Sequence, residues 1–208
     1  MARTRNDGKA PGGAAAAAGL SLEPVRGRRI IVGVTGGIAA YKTAMIVSRL
    51  AQAGAEVTVA MTKAATKFVT PLTFQALSAR PVYTSAWEHI ESSDPQHISL
   101  ADAADAALVA PCTMDCMAKL ATGRTDDVVT LILSAMDRRK TPVFLAPSMN
   151  TAMWEQPATQ RNLRTLQEDG FQVIGPGEGW QACRHVGTGR MSEPEQILAA
   201  LAAGIRAR

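Results

Sequence analysis

The chain has 208 residues, of which 47% are hydrophobic, so it can build one sizeable core but not two. Its formal net charge of +4 arises entirely in the first 29 residues, where six basic residues face two acidic ones, and the remainder is neutral. A neutral body with 4% aromatic residues lacks the basic stripe and stacking surfaces of a nucleic-acid-binding protein, and no apolar run reaches the roughly 18 to 20 residues of a membrane-spanning helix.

The cysteines indicate the cellular location of the protein, and the N-terminal segment indicates where its folded domain begins. Cys112, Cys116 and Cys183 are too few for a disulfide framework, and their spacing does not complete a metal site. We therefore expect no metal and a reducing, cytoplasmic location. Residues 1–28 are rich in small residues that cannot bury enough surface to offset their ordering entropy, so they are predicted to form a disordered tail. A single domain is predicted over residues 29–208.

From Arg29 onward, short apolar runs alternate with helical patterns, which is typical of a parallel sheet with crossover helices. Strands are predicted over residues 29–34, 55–61, 105–111, 141–148 and 171–176. Helices are predicted over residues 38–54, 70–79, 114–122, 126–139, 157–170 and 193–205. This order predicts an α/β fold with a doubly wound, Rossmann-like parallel sheet and helices on both faces. In such folds, ligands bind beyond the carboxyl ends of the strands.

Three segments that follow strands should meet at that edge of the sheet: TGGIAAYK, APCTMD and APSMN. Gly36 and Gly37 allow a sharp turn into a helix start, whose free N–H groups suit a phosphate, although a plain strand-to-helix turn has the same pattern. The segment lacks the GxGxxG spacing of a dinucleotide site. Thr62 stands where an acidic residue would hold a ribose, so a mononucleotide is favoured over NAD.

Several longer motifs carry a resemblance to a known family. GVTGGIAAYK, MTKAATKFVTPLTFQALS, APSMNTAMWEQPATQRNL and ACRHVGTGRMSEPEQI occur in this order. Over residues 29–205 the chain closely resembles the homo-oligomeric flavin-containing cysteine decarboxylases, and among them the phosphopantothenoylcysteine decarboxylases. The resemblance implies an FMN-dependent carboxy-lyase of coenzyme A biosynthesis that converts 4'-phospho-N-pantothenoylcysteine to 4'-phosphopantetheine. The cofactor contacts that it implies are Gly36, Gly37, Thr62, Phe74, Cys112, Thr113, Met114, Asp115 and Ala146.

The same resemblance implies the catalytic and substrate-binding residues. The carbon bearing the thiol is oxidised by FMN, the thioaldehyde loses carbon dioxide, and the enethiol is reduced as Cys183 donates a proton. His97, which can exchange protons near neutral pH, assists the first half, although a histidine at a helix start is often only structural. Asn150 orients the carboxylate, unless it serves only as a turn or helix cap. Ala152 and Met153 complete the substrate contacts.

Two residues depart from the family pattern. Asp115 replaces an asparagine, and a carboxylate pointing into the site would disfavour an anionic substrate; alternatively, Asp115 caps the following helix. Arg184 replaces the glycine that usually follows Cys183, within a glycine-bounded segment that we interpret as a mobile flap without regular structure. The thiols of Cys112 and Cys116 are interpreted as packing groups, since free cysteine is usually buried.

The resemblance also implies partners and leaves alternatives. A homotrimer, or a dodecamer built from trimers, is expected, together with a separate phosphopantothenate–cysteine ligase. One alternative is a peptidyl-cysteine decarboxylase of natural-product maturation, which would not need Cys183 as a proton donor. Another is a non-catalytic flavin-binding regulatory subunit, which the presence of both His97 and Cys183 disfavours. Flavin prenyl transfer leaves the ACRHVGTGRM segment unexplained.

Overall fold

The structure is a computed structural model that describes residues 20–88, 96–182 and 184–206. Six strands form one parallel sheet in the order β3-β2-β1-β4-β5-β6, which is the order of a doubly wound nucleotide-binding sheet and confirms the predicted fold class. The strands are β1 (Arg29–Val34), β2 (Glu56–Met61), β3 (Val82–Tyr83), β4 (Ala106–Cys112), β5 (Val143–Pro147) and β6 (Gln172–Val173). A separate antiparallel pair consists of β7 (Gly177–Trp180) and β8 (Val186–Arg190).

The helices cover both faces of the sheet. They are α1 (Ala40–Gln52), α2 (Pro71–Ser78), α3 (Gln96–Ala103), α4 (Met114–Ala121), α5 (Val128–Ser134), α6 (Thr151–Trp154), α7 (Pro157–Glu168) and α8 (Pro194–Arg206). Each predicted strand and helix is present, and most of them are shorter than predicted, whereas β1 has the predicted bounds. Within the described ranges, none of these helices combines the length and apolar character needed to cross a bilayer.

Alternation along the strands divides the core into two layers. On β1, Ile30 and Val32 face the layer that contains α1 and α8, whereas Ile31 faces the layer that contains α4 and α5. Because both faces of a doubly wound sheet are covered, the central strands β1 and β4 are buried along nearly their whole length. Gly33 on β1 is needed for this packing, since a Cβ there would lie 2.7 Å from the side chain of Val129 on α5.

The folded domain begins before the predicted boundary. Residues 23–25 form one turn of 3₁₀ helix, in which the Val25 N–H donates to the Leu22 carbonyl. Val25 is fully buried and Leu22 packs against the same core as α8. The tail predicted through residue 28 is therefore too long, because these two apolar side chains find a place in the core. Residues 1–19 lie outside the described residues.

Candidate functional site

A cavity of about 1020 Å³ opens at the carboxyl edge of the sheet. The loops after β1, β4 and β5 converge on it as predicted, and β1 and β4 are the adjacent strands from which the chain departs in opposite directions. The start of α4 and the β7–β8 pair complete its wall. The predicted site residues that line it are Gly36, Gly37, Thr62, Thr113, Met114, Asp115, Asn150 and Met153.

The glycine turn after β1 forms one end of the cavity. A Cβ on Gly36 would lie 2.4 Å from the Cβ of Ala64, so only glycine lets this turn press against the segment after β2. A Cβ on Gly37 would meet only ordinary contacts, the nearest at 3.7 Å, so glycine there leaves space in the cavity. No side chain of the described residues caps α1, and within this region the N–H groups of Gly37 and Ile38 donate to no acceptor. These donors suit an anionic group.

Buried hydroxyl groups hold the first two loops together. The Thr35 hydroxyl donates to the Pro111 carbonyl at 2.6 Å and accepts from the Thr113 N–H at 3.1 Å. On α1, the Thr43 hydroxyl donates to the Ala110 carbonyl at 2.6 Å. Our sequence analysis did not single out Thr35 or Thr43, since isolated threonines carry no local signal of contacts 76 and 67 residues away. The loops are therefore fixed before any ligand binds.

Several predicted site residues do not line the cavity. Phe74, Cys112 and Ala146 are fully buried in the core and are not among the residues that line the cavity, so their contacts with a cofactor stay a prediction. Ala152 is exposed on α6, and His97 is half-buried on α3, both away from the cavity lining. Cys183 lies outside the described residues.

The buried thiols match the interpretation of Cys112 and Cys116 as packing groups. A hydrogen bond with Cys112, together with burial, raises the pKa of the Cys116 thiol well above its usual range. Cys116 therefore stays neutral and unreactive at physiological pH.

Asp115 does not cap α4, so that alternative is wrong. Thr113 is the cap, since its hydroxyl accepts from the Cys116 N–H at 3.4 Å. Asp115 lies in the first turn, where its negative charge suits the helix dipole, and its side chain is 74% exposed toward the cavity. It forms an ion pair with Lys119 at 3.1 Å, which offsets part of the negative charge that aspartate introduces in place of the family's asparagine.

Lys119 joins three carboxylates at the cavity wall. Its ammonium lies 3.1 Å from Asp115, from Asp126 and from Asp127. Burial alone would lower the pKa of Lys119, but hydrogen bonds to Asp127, Asp115 and Asp126 outweigh it and raise the pKa above its usual range. The hydrogen bond from Lys119 lowers the pKa of Asp126. Lys119 and Asp126 therefore stay charged at neutral pH. The cluster holds three carboxylates around one ammonium.

Asn150 both caps a helix and faces the cavity. Its side-chain oxygen accepts from the Met153 N–H at 3.0 Å and so begins α6. Because the oxygen is engaged, the amide nitrogen is oriented as a donor, and among the described residues it has no acceptor. The cap and the functional role are therefore compatible, and the cap holds the donor in place.

The segment interpreted as an irregular flap is a β-hairpin, which corrects that expectation. The hairpin of β7 and β8 docks on the start of α6, where the Met149 N–H donates to the Gly189 carbonyl at 2.9 Å. Gln181 is buried, and its amide donates to the Thr151 hydroxyl at 3.1 Å and accepts from the Thr151 N–H at 3.3 Å. These bonds hold the hairpin beside Asn150.

The hairpin turn explains the glycine that Arg184 replaces. The Gln181 N–H donates to the His185 carbonyl at 2.8 Å, and the Arg184 N–H donates to the Gln181 carbonyl at 2.9 Å. Arg184 has a φ of 65°, in the left-handed region where glycine is favoured. Arg184 therefore keeps the left-handed backbone of the glycine that it replaces, which destabilises the fold by about 1 kcal/mol. It also adds an exposed cation next to Cys183 in the sequence.

A doubly wound sheet with a cavity at its switch point, free N–H donors at a glycine turn and a docked hairpin defines a nucleotide-binding α/β protein with a covered site. Comparison with known proteins makes this specific. The chain belongs to the flavoprotein family, whose model matches residues 20–206.

The most informative relatives are coenzyme A biosynthesis bifunctional proteins. The chain is 48% identical over 177 residues to the CoaBC protein of Haemophilus influenzae, covering 85% of this chain and 44% of that protein. It is 47% identical over 171 residues to CoaBC of Bacillus subtilis, covering 82% of this chain and 41% of that protein. The chain thus spans less than half of the length of these curated relatives.

Solved structures of similar proteins match this chain over nearly their whole length. A mutant PPC decarboxylase complexed with pantothenoylaminoethenethiol has a TM-score of 0.78 and 33% identity, over 87% of this chain and 100% of that chain. The FMN-dependent cysteine decarboxylase SpaF has a TM-score of 0.71 and 28% identity, over 88% of this chain and 99% of that chain. These findings confirm the family resemblance inferred from the motifs.

Proposed function

We propose that the protein is an FMN-dependent phosphopantothenoylcysteine decarboxylase, which converts 4'-phospho-N-pantothenoylcysteine to 4'-phosphopantetheine and carbon dioxide. The observation that carries this is the placement of the Asn150 amide, the GTGR hairpin and the glycine turn around one cavity. The likeness to a PPC decarboxylase over its full length supports the substrate. We further propose that a phosphopantothenate–cysteine ligase supplies that substrate.

The cavity fits a flavin mononucleotide together with a substrate. At about 1020 Å³ it is at the upper end of the range for small-molecule sites. The N–H groups of Gly37 and Ile38 suit the phosphate, and Met114, Met149 and Met191 provide apolar, polarisable walls for a ring. FMN, when bound, supplies the reversible two-electron oxidation of the substrate that side chains cannot perform.

The chain's own residues bind the carboxylate, exclude water and deliver a proton. The Asn150 amide donates hydrogen bonds to the substrate carboxylate without a positive charge that would hold it too tightly for carbon dioxide to leave. The hairpin, docked on α6 through Gln181, closes this end of the cavity to water. Cys183, which stands between Ala182 and Arg184 in the sequence, is assigned the proton that the enethiol receives.

The position of His97 and an exposed apolar surface support a homotrimer with sites between subunits. Ile38, Tyr41 and Met45 are each more than half exposed, lie along one side of the start of α1, and two of them line the cavity rim. Phe68 adds to the exposed apolar residues on the segment before α2. Contiguous exposed apolar surface is typical of an interface. A second copy bound there would cover the rim and bring its own His97 to this cavity.

Mixing two variants that form little 4'-phosphopantetheine tests this arrangement. His97→Asn and Cys183→Ser subunits, dissociated together and reassembled, should recover about a quarter of the wild-type production of 4'-phosphopantetheine if each site takes the two residues from different subunits. Separate reassembly of each variant is the control. Light scattering that shows a monomer, or mixtures with no recovered activity, would contradict interface sites.

Replacing Cys183 by serine tests the proposed reaction. In air, where dissolved oxygen can take the two electrons left on the flavin, Cys183→Ser should still release carbon dioxide but accumulate the oxidised enethiol. Its production of 4'-phosphopantetheine should be reduced by about 100-fold or more, since only the second half needs a proton donor. Product masses and carbon dioxide are measured together. Arg184→Gly is the control at the same turn and should form the normal product.

Normal output of 4'-phosphopantetheine from Cys183→Ser would remove Cys183 from the reaction. An oxidised product from the wild-type protein would instead indicate the peptidyl-cysteine type of enzyme.

A further inference from the structure

The charges of the cavity wall single out one lysine. Four cationic side chains line the cavity: Lys42, Lys63, Lys119 and Arg190. Three of them each form an ion pair with a carboxylate that the protein itself supplies, and Lys42 and Arg190 share the carboxylate of Glu193. Lys63 is exposed, and within the described ranges no carboxylate lies within ion-pair distance of its ammonium.

The paired cations are held firmly. The Lys42 ammonium lies 2.9 Å from the Glu193 carboxylate, which also contacts the Arg190 guanidinium. The hydrogen bond from Lys42 lowers the pKa of Glu193, so this carboxylate remains charged. Lys119 is surrounded by three carboxylates. An incoming dianion would have to compete with these partners, whereas at Lys63 no carboxylate of the described residues stands in its way.

Lys63 lies next to the donors of the glycine turn. The Thr62 N–H donates to the Val34 carbonyl at 3.0 Å, which places the residue after β2 beside the end of β1. On the other side of Lys63, Ala64 is in the tight contact that requires glycine at position 36. The Thr62 hydroxyl accepts from the Ala65 N–H at 3.2 Å, so its hydrogen is left to donate. Lys63 thus stands between a hydroxyl donor and a turn with free N–H groups.

We infer that Lys63 binds the phosphate of the flavin mononucleotide and that its ammonium offsets part of the negative charge of this dianion in the cavity. The inference rests on the proposed function, since it requires FMN in this cavity. The amide and hydroxyl donors orient the phosphate, and Lys63 supplies the charge that they lack.

Flavin titrations separate this role from a general structural one. Lys63→Ala and Lys63→Glu are compared with Lys67→Ala, which removes an exposed lysine four residues further on that does not line the cavity. Quenching of flavin fluorescence gives the dissociation constants of FMN and of riboflavin, which lacks the phosphate. Lys63→Ala should weaken FMN binding about five-fold, and Lys63→Glu considerably more. Riboflavin binding, and FMN binding by Lys67→Ala, should change by less than about two-fold.

Three results would overturn the inference. They are unchanged FMN affinity in Lys63→Glu, an equal loss of FMN and riboflavin affinity, and a raised KM for the phosphorylated substrate with normal FMN affinity. If one of these results is obtained and the wild-type protein binds FMN, the role of Lys63 is wrong but the proposed function stands. Wild-type protein that binds riboflavin as tightly as FMN, or binds neither, would overturn both.

Discussion

Replacing Asn150 by aspartate is expected to lower the rate of decarboxylation by about 100-fold or more, the usual cost of losing one oriented donor at a reacting group. Aspartate keeps the side-chain oxygen that accepts from the Met153 N–H and begins α6. It loses the amide donors and places a negative charge next to the substrate carboxylate. Folding and FMN affinity should therefore be retained while catalysis is lost.

A matched series around this substitution separates charge from hydrogen bonding. Asn150→Ser also caps a helix but carries neither the amide nor the charge, so its activity should lie between those of the wild type and Asn150→Asp. Thermal unfolding and flavin titration provide the control for structure. If Asn150→Asp retained more than about half of the wild-type rate, the amide could not be the group that orients the carboxylate.

Replacing Gly189 by alanine should release the hairpin from the site. Gly189 has a φ of 131°, which L side chains rarely adopt, and its Cβ would lie 2.4 Å from the Met149 carbonyl oxygen. This oxygen belongs to the backbone and cannot move aside without disrupting the hydrogen bond from the Met149 N–H to the Gly189 carbonyl. We expect product formation to fall by roughly 30-fold or more and the hairpin to become sensitive to proteolysis.

The control for Gly189 lies in the opposite strand of the same hairpin. A Cβ on Gly177 would have its nearest contact at 3.8 Å, and its backbone does not need positive φ. Gly177→Ala should therefore behave like the wild type in turnover and in limited proteolysis. The two strands thus differ sharply in their tolerance of one methyl group. Wild-type protease resistance and KM in Gly189→Ala would show that the docked hairpin is not required.

The sheet could be predicted because its strands are apolar on both faces and alternate with long periodic helices. β3 was missed because two residues, Val82 and Tyr83, carry no periodic signal. The hairpin was interpreted as irregular for a different reason. Its glycines at 177, 179, 187 and 189 interrupt the alternation of side chains, and its position is set by contacts with α6 rather than by its own composition.

The location of the site followed from topology, whereas its electrostatics did not. Parallel strands bring their carboxyl ends to one edge, so the convergence of the three loops could be predicted. The pair of Lys42 and Glu193 joins residues 151 positions apart, which no local pattern signals. From its residue type alone, Asp115 could either cap α4 or belong to the cavity wall. The structure shows that Thr113 is the cap. Phe74 belongs to a motif shared with the family and is fully buried, which the sequence motif alone did not signal.

Incubation of purified, FMN-loaded protein with 4'-phospho-N-pantothenoylcysteine tests the central claim most directly, with carbon dioxide, product mass and flavin absorbance followed together. We predict stoichiometric release of carbon dioxide and 4'-phosphopantetheine, with the flavin oxidised at the end of the reaction, since decarboxylation is redox-neutral overall. Bound FMN without turnover would contradict the assignment and favour a peptide substrate or a regulatory flavin-binding role.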